Sequence, residues 1–487
     1  MSGEVRTWLG ERAERVIETS CAWVFLGEER ALKVKKPVNY GFLDFSTAEK
    51  RRWALERELA FNRATAPDIY RAVHPITREH DGALAVGGAG EVVDYALEMR
   101  RFDPDAVLSQ HPDKVDGDLA EALGRTIARF HAAAEVRPEA ESLAYALAVN
   151  AEHLAAFSGV LGGEETRALI GEADATFQRL RPLLEQRRSE GFIRRCHGDL
   201  HLGNILLEDG APKLFDCIEF NDRLSEIDVL YDLAFLLMDL CFRGCGPAAN
   251  RALNAYLDEA ARAFPASLWD GLAALPLMLS ARAAVRAHVL ASQGELGEAR
   301  AYRAAAAVHL APQAPRLIAI GGLSGSGKTT LARLTAPALG PAPGAIVLRT
   351  DEIRKRLWDA GPLDRLPAAA YAPQESTRVY AAMLEAAGRC LAAKRSVILD
   401  AVFLRPEERA AAEALARDRG VRFQGVWLQA PRAVLRKRLE ARVGDASDAD
   451  AAVLEGQLAR DPGAVSWAVR RSDDLRAVAD GLVCAPD

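Results

Sequence analysis

The chain has 487 residues, 49% of them hydrophobic and 27% charged, with a formal net charge of −6. That balance suits a globular protein with room for two or three domains, and the negative sign argues against a surface built chiefly to hold nucleic acid. Seven cysteines without paired spacing fit a reducing cytoplasm better than a disulfide framework. The pair Cys241 and Cys245 in "CFRGC" has no second pair to complete a zinc site. The N-terminus "MSGEVRTWLGERAERV" is charged throughout, so no signal peptide is expected there. The most apolar stretch, "VLYDLAFLLMDLCF", is interrupted by Asp232 and Asp239 and is too short to span a bilayer. A cytoplasmic protein without membrane contact is expected.

In chain order, the first hundred residues offer short strands at "CAWVFLG", "RALKVKK", "IYRAVHPI" and "EVVDYALEMR", around one amphipathic helix from about Ser46 to Ala64. From about Gly117 the pattern is helical, broken near 192–216 by "GFIRRC", "NILLE" and "KLFDC". This predicts a small mixed lobe (about 1–100) and a large helical lobe (about 101–310) with a loop-and-hairpin insert. Pro312 and Pro315 end a helical run, which places a domain boundary near 310–315. Beyond it, "RLIAIGG", "GAIVLRT", "RSVILDA" and "VRFQGVWLQA" alternate with helix-periodic segments. That rhythm predicts an α/β domain with a parallel sheet over 316–487.

In the second domain "GLSGSGKT", Gly322 to Thr329, fits G-x-x-x-x-G-K-[ST] between a strand and a helix. The glycines let backbone N–H groups turn toward phosphate oxygens, Lys328 reaches the β/γ-phosphates, and Thr329 offers a hydroxyl to Mg²⁺. The expected nucleotide-binding set is Gly322, Gly325, Ser326, Gly327, Lys328, Thr329 and Thr330. "LRTDEIRK" puts Asp351 and Arg354 at a strand's carboxyl end, Asp351 to accept a proton from an attacking hydroxyl and Arg354 to hold a substrate anion. Asp400, ending "SVILD", takes the Walker-B position that orders Mg²⁺. The arginine-rich helix after Pro431 offers Arg438 and Arg442 as lid or substrate groups, with most of its arginines as solvated surface charge. By pattern, 316–487 resembles the small P-loop kinases that phosphorylate hydroxyls, and the D-x-x-R pair resembles the polynucleotide kinase type.

In the first domain, "RRCHGDLHLGNILL" sets Asp199 and Asn204 five residues apart in a polar loop, and "KLFDC" delivers Asp216 from an apolar strand. Phosphoryl transfer to a hydroxyl needs a carboxylate to orient the nucleophile and oxygen ligands for Mg²⁺. The order H-G-D-x-x-x-x-N, then h-h-D, resembles the aminoglycoside phosphotransferase-like branch of the protein-kinase fold. The resemblance implies Asp199 as catalytic base, Asn204 and Asp216 as metal ligands, and His197 as loop support. His201 is read as making a structural hydrogen bond. A kinase fold further demands a strand lysine and a helix glutamate. Lys33 and Lys35 share one strand face, and Glu56 and Glu58 lie on the following helix; Lys33 and Glu58 are favoured. The first strands lack a G-x-G-x-x-G loop, with Gly27 alone in "ETSCAWVFLGEE". Asp228 and Asp232 are read as structural.

The expected architecture is therefore an N-terminal α+β, protein-kinase-like bilobal domain (1–310) fused to a C-terminal P-loop kinase (316–487). The expected function is ATP- and Mg²⁺-dependent transfer to small-molecule hydroxyls at two sites. Three alternatives stand beside it: a non-catalytic N-terminal regulator, a P-loop domain acting as an ATP-driven switch, and a P-loop domain acting on polynucleotide 5′-hydroxyls. The sequence leaves the oligomeric state and both acceptors open.

Overall fold

The computed structural model describes residues 2–41, 43–140, 142–441 and 444–484. The chain divides into two compact units, residues 1–115, 133–146 and 191–236 in one, and 116–132, 147–190 and 237–487 in the other.

The first unit is built on an antiparallel six-stranded sheet. Its strands are β1 (Arg15–Glu18), β2 (Ala22–Leu26), β3 (Arg30–Lys35), β4 (Tyr70–Arg78), β5 (Leu84–Val86) and β6 (Glu91–Arg100), in the order β1-β2-β3-β6-β4-β5. The four expected strands are β2, β3, β4 and β6; β1 and β5 are short additions at the two edges. The helix expected over 46–64 runs Ala48–Asn62, because the Thr47 side chain caps its first turn by accepting from the Lys50 N–H. Its buried face is Arg51, Ala54, Leu55, Glu58 and Asn62, spaced one helical turn apart but carrying two charges. Arg51 meets Asp94 bidentately, at 2.8 and 2.9 Å, so the buried cation is matched. Glu58 is the second charge, and its partners belong to the site. Further along, β7 (Ile193–Arg195) pairs with β10 (Glu226–Asp228), and β8 (Ile205–Glu208) with β9 (Ala211–Leu214) forms the expected hairpin.

The second unit holds the long helices Gly117–Ala133, Gly163–Ser189, Gly246–Ala260, Leu275–Gln293 and Leu296–Leu310. It also holds a five-stranded parallel sheet of β11 (Arg316–Gly322), β12 (Ile346–Arg349), β13 (Val397–Asp400), β14 (Arg422–Gln429) and β15 (Ala468–Arg471), ordered β12-β13-β11-β14-β15. The first four are the expected strands. Strand β15 is an addition to them: its four residues are all exposed and show no alternation. Ile318, Ile320, Ile398, Val426 and Leu428 form the core of this sheet against Leu331 and Ala332 of the helix Lys328–Thr335, as a strand buried on both faces requires.

Among the described residues no single helix is long and apolar enough to cross a membrane. Within the helical part, His288 is buried between the Asn150 amide, at 3.2 Å, and the His153 ring. Burial, aided by His153, depresses its pKa to about 4. A histidine depressed in the folded state stabilises the fold above its unfolded pKa, and that contribution is lost as pH falls toward the folded value. Between pH 7 and pH 5 it should cost about 2 kcal/mol of stability. A His288→Gln chain should lose correspondingly less in urea titrations at the two pH values.

Candidate active sites

In the first unit, period-2 geometry sends Lys33 and Lys35 to one face of β3. Lys33 Nζ lies 2.7 Å from Glu58 Oε1 and 2.7 Å from Asp216 Oδ1. Lys35 Nζ lies 2.7 Å from Glu58 Oε2 and 2.6 Å from Glu219 Oε1. Glu58 thus serves both lysines, while Glu56 pairs with Arg52 on the helix surface. Burial draws the Lys33 pKa down, but Asp216 and Glu58 outweigh it and hold the ammonium well above its ordinary range. Two ammonium groups face three carboxylates, and burial pushes the Glu219 carboxyl up further than Lys35 pulls it down.

Asp216 has φ 63°, a left-handed conformation that costs a non-glycine residue on the order of 1 kcal/mol. Its backbone N–H donates to Tyr70 Oη, and the next N–H, of Cys217, donates to Asn62 Oδ1. These two contacts hold the turn that aims the Asp216 carboxylate at Lys33.

Asp199 sits in the loop after β7. Asn204 Nδ2 donates to its backbone oxygen at 2.9 Å and to Oδ2 at 3.0 Å, so the amide oxygen Oδ1 is the atom with which Asn204 could hold a cation. His197 is buried and uncharged, its pKa lowered by desolvation. It donates through Nε2 to Phe215 O at 2.9 Å, joining the Asp199 loop to the strand end before Asp216. Gly198 has φ 86°, and a Cβ there would come 2.8 Å from Leu224 O, so the turn requires glycine. His201 Nδ1 accepts from the Gly203 N–H at 2.9 Å. That places the neutral ring's proton on Nε2, 3.5 Å from Asp199 Oδ2. The residue read as structural therefore also faces the candidate base.

Asp232, likewise read as structural, accepts from the His197 and Gly198 N–H groups at 3.1 and 2.8 Å. It is buried, so an alanine there removes the acceptor of two buried donors. Asp232→Ala should destabilise the fold by roughly 2–5 kcal/mol, measured as a lowered denaturant midpoint, and should slow the first site with it.

In the second unit, the turn between β11 and the helix Lys328–Thr335 forms a cradle. Gly325 and Gly327 have φ 82° and 94°, and a Cβ on Gly325 would lie 2.7 Å from Leu435 O. Ser326 Oγ is buried and has no hydrogen-bond partner among the described residues. A turn with an orphaned hydroxyl and glycine-only backbone fits a phosphate group. Lys328 Nζ spans the loop to Leu323 O at 3.1 Å. Thr329 Oγ1 donates to Asp400 Oδ2 at 2.7 Å, so the two expected metal-site residues are in contact. Gly322 ends β11 and donates to Val402 O, and Thr330 follows in the first turn of the helix.

These residues open onto a cavity of about 1840 Å³, which Lys328, Thr329, Thr330, Asp351, Arg354 and Asp400 all line. That volume exceeds the few hundred to ~1,000 Å³ typical of a single small-ligand pocket. Asp351 lies in the first turn of the helix Thr350–Leu357. Arg354 is buried, donates to Ala370 O and stacks over the Tyr371 ring at 4.8 Å. Arg438 reaches the cradle itself, 3.3 Å from Gly325 O, and is steadied by Ser472. Arg432 and Arg436 pair with Glu455 and Glu440 on the surface, as expected for most arginines of that helix. Arg442 lies outside the described residues.

Sequence reasoning missed two groups here. Gln457 clamps the cradle, accepting from the Ser324 N–H at 2.9 Å and donating to Ser324 Oγ at 3.0 Å. Arg349 is buried and touches Asp400 (3.3 Å), Glu352 (3.0 Å) and Asp445 (2.9 Å). No local motif marks either residue.

Two family models match separate stretches of the chain. The model of the phosphotransferase enzyme family matches residues 47–274, and that of an AAA domain matches 317–461. Uncharacterized proteins of Mycobacterium tuberculosis and Mycobacterium bovis are 33% identical over 465 residues, covering 91% of this chain and 89% of theirs. Among solved structures, a choline kinase from Cryptosporidium parvum aligns at TM-score 0.42 and 9% identity, over 64% of this chain and 94% of its own. A gluconokinase from Sinorhizobium meliloti aligns at TM-score 0.23 and 23% identity, over 34% and 95%. The chain is a phosphotransferase enzyme: it belongs to the phosphotransferase enzyme family, in the form that carries an AAA-type P-loop domain behind the kinase-like one.

Proposed function

We propose that the chain is bifunctional, with one phosphotransferase site in a kinase-like domain (1–310) and a second in a P-loop domain (316–487). Each moves the γ-phosphoryl group of ATP to a hydroxyl of a small molecule. The observation that carries this reading is the presence of two complete and unrelated constellations. One is Lys33, Glu58 and Asp216 with Asp199 and Asn204; the other is Lys328 in the cradle with the Thr329–Asp400 pair.

ATP would supply the phosphoryl group, and Mg²⁺ the counter-charge on its oxygens. At the first site Lys33, held by Glu58, would meet the α/β-phosphates, and Asn204 and Asp216 would hold the metal. The Asp199 carboxylate takes the acceptor's hydroxyl proton as its oxygen bonds to phosphorus and ADP leaves. His197 and Asp232 keep that loop in place. At the second site the cradle from Gly322 to Thr330 and Lys328 would hold the nucleotide, and Thr329 and Asp400 would hold the metal. Asp351 accepts the acceptor's proton, while Arg354 and Arg438 supply positive charge on the acceptor and phosphate sides. A cytoplasmic location fits the family and the thiol usage.

The test is an acceptor screen: ATP consumption by the full chain against sugars, amino alcohols, nucleosides and 5′-hydroxyl oligonucleotides, repeated in Asp199→Asn and Lys328→Ala chains. Bifunctionality requires at least one acceptor lost in each variant. Turnover that depends on Lys328 alone would make the first domain a regulator. Turnover that depends on Asp199 alone would make the P-loop domain a switch.

A further inference from the structure

Strand β12 is an edge strand of the parallel sheet, and Asp351 and Arg354 come directly after its end. An open edge leaves backbone groups to be satisfied elsewhere. Here two side-chain amides of the helix Gly246–Ala260 take the place of a neighbouring strand. Asn250 Nδ2 donates to Ala345 O at 3.0 Å, and Asn254 Nδ2 to the same oxygen at 3.3 Å. Asn254 Oδ1 accepts from the Val347 N–H at 2.7 Å. Ala345 O and Val347 N–H are the pair of groups that a strand would have engaged. Asn250 is buried and Asn254 half-buried.

The same helix also anchors the helix Thr350–Leu357, which carries Asp351 and Arg354. Asp258 accepts from Arg356 of that helix at 2.8 Å. Its other oxygen accepts from Arg125 at 3.0 Å, on the helix Gly117–Ala133. All three side chains are at most 14% exposed. Glu121, one turn before Arg125, meets Arg333 of the cradle helix at 2.6 Å. Both Glu121 and Arg125 line the P-loop cavity. All of these residues belong to the second compact unit, yet Glu121, Arg125, Asn254 and Asp258 come from the stretch matched to the phosphotransferase family.

We propose that the helices Gly117–Ala133 and Gly246–Ala260 of the kinase-like half are positioning elements of the P-loop site, with Asn254 and Asp258 fixing β12 and the acceptor-side helix after it. Neither residue touches the reacting atoms. Their effect passes through the backbone of 345–349 and through Arg356 to Asp351 and Arg354. The cradle, on β11 and its own helix, does not depend on them. The inference rests on the P-loop half being a kinase, so its test includes a measurement that needs no turnover.

In the full chain, Asn254→Ala and Asp258→Asn should lower Lys328-dependent kcat about tenfold to a hundredfold and raise the acceptor KM, with the KM for ATP moving less than about twofold. Asp258→Glu should recover part of the loss, and Asp199-dependent turnover serves as the control for folding. Unchanged kcat and acceptor KM would overturn the proposal. So would a rise of both KM values together with a lowered melting temperature, since that is general destabilisation. Independently, hydrogen exchange of the peptide covering 350–357 should accelerate about tenfold in Asp258→Asn while that of 328–335 stays as it was. Unchanged exchange over 350–357 would also overturn it. Faster exchange in a chain with no Lys328-dependent turnover would uphold the positioning and reject the kinase reading instead.

Discussion

Asp199→Asn should lower turnover at the proposed first site by about 10²–10⁴-fold, the range that a positioned general base contributes. The substitution keeps the size of the side chain, and an amide oxygen can still accept from Asn204 Nδ2, which lies 3.0 Å from Oδ2 of Asp199. The loop retains its other anchors, from Asp232 to the His197 and Gly198 N–H groups and from His197 to Phe215 O. What is lost is the ability to take up a proton. The expected result is a fall in kcat with little change in the KM for ATP, because Lys33, Glu58 and Asp216 are untouched. Steady-state kinetics with an acceptor of the first site checks this. A KM that rises while kcat holds would mean that Asp199 binds the acceptor without accepting its proton.

Lys328→Ala should reduce turnover at the P-loop site by about 10²–10³-fold, as for removal of one preorganised charge on a transferring group. The fold has little reason to suffer. Lys328 Nζ makes a half-buried contact with Leu323 O, the helix that begins at this residue is closed by Leu331 N–H on Gly327 O, and Thr329 keeps Asp400. The loss should appear in nucleotide binding as well as in chemistry. ATP at a hundred times its Kd should raise the wild-type domain's stability by about 2.7 kcal/mol, and the variant should forfeit most of that. Thermal unfolding with and without nucleotide separates this from a purely catalytic effect.

The parts of the molecule that were legible in the sequence are those written in contiguous residues. The cradle from Gly322 to Thr330 and the strands with long apolar runs need no distant partner to be recognised. Lys33 is only weakly separated from Lys35, because both share a strand face and Glu58 in fact touches each. Asp232 is legible as structural, but not its partners, which lie 34 and 35 residues away across a buried contact. Arg349, Gln457, Asn250 and Asn254 carry no local signature; each matters through a contact at least 51 residues distant in sequence, to Asp400, Ser324 and Ala345. The edge strands β1 and β15 escaped because strands of four residues with mostly exposed side chains carry no periodic signal.

The amides on β12 bear on how the two proposed activities can be tested apart. A cut in the proline-marked segment before residue 316 would strip Asn250 and Asn254 from the P-loop sheet, leaving Ala345 O and Val347 N–H facing solvent on an exposed edge. Such edges invite pairing between chains and aggregation. A poorly soluble or inactive 316–487 fragment would therefore speak of a missing neighbour, not of an inert enzyme, and point substitutions in the intact chain are the sound way to assign each reaction to its site.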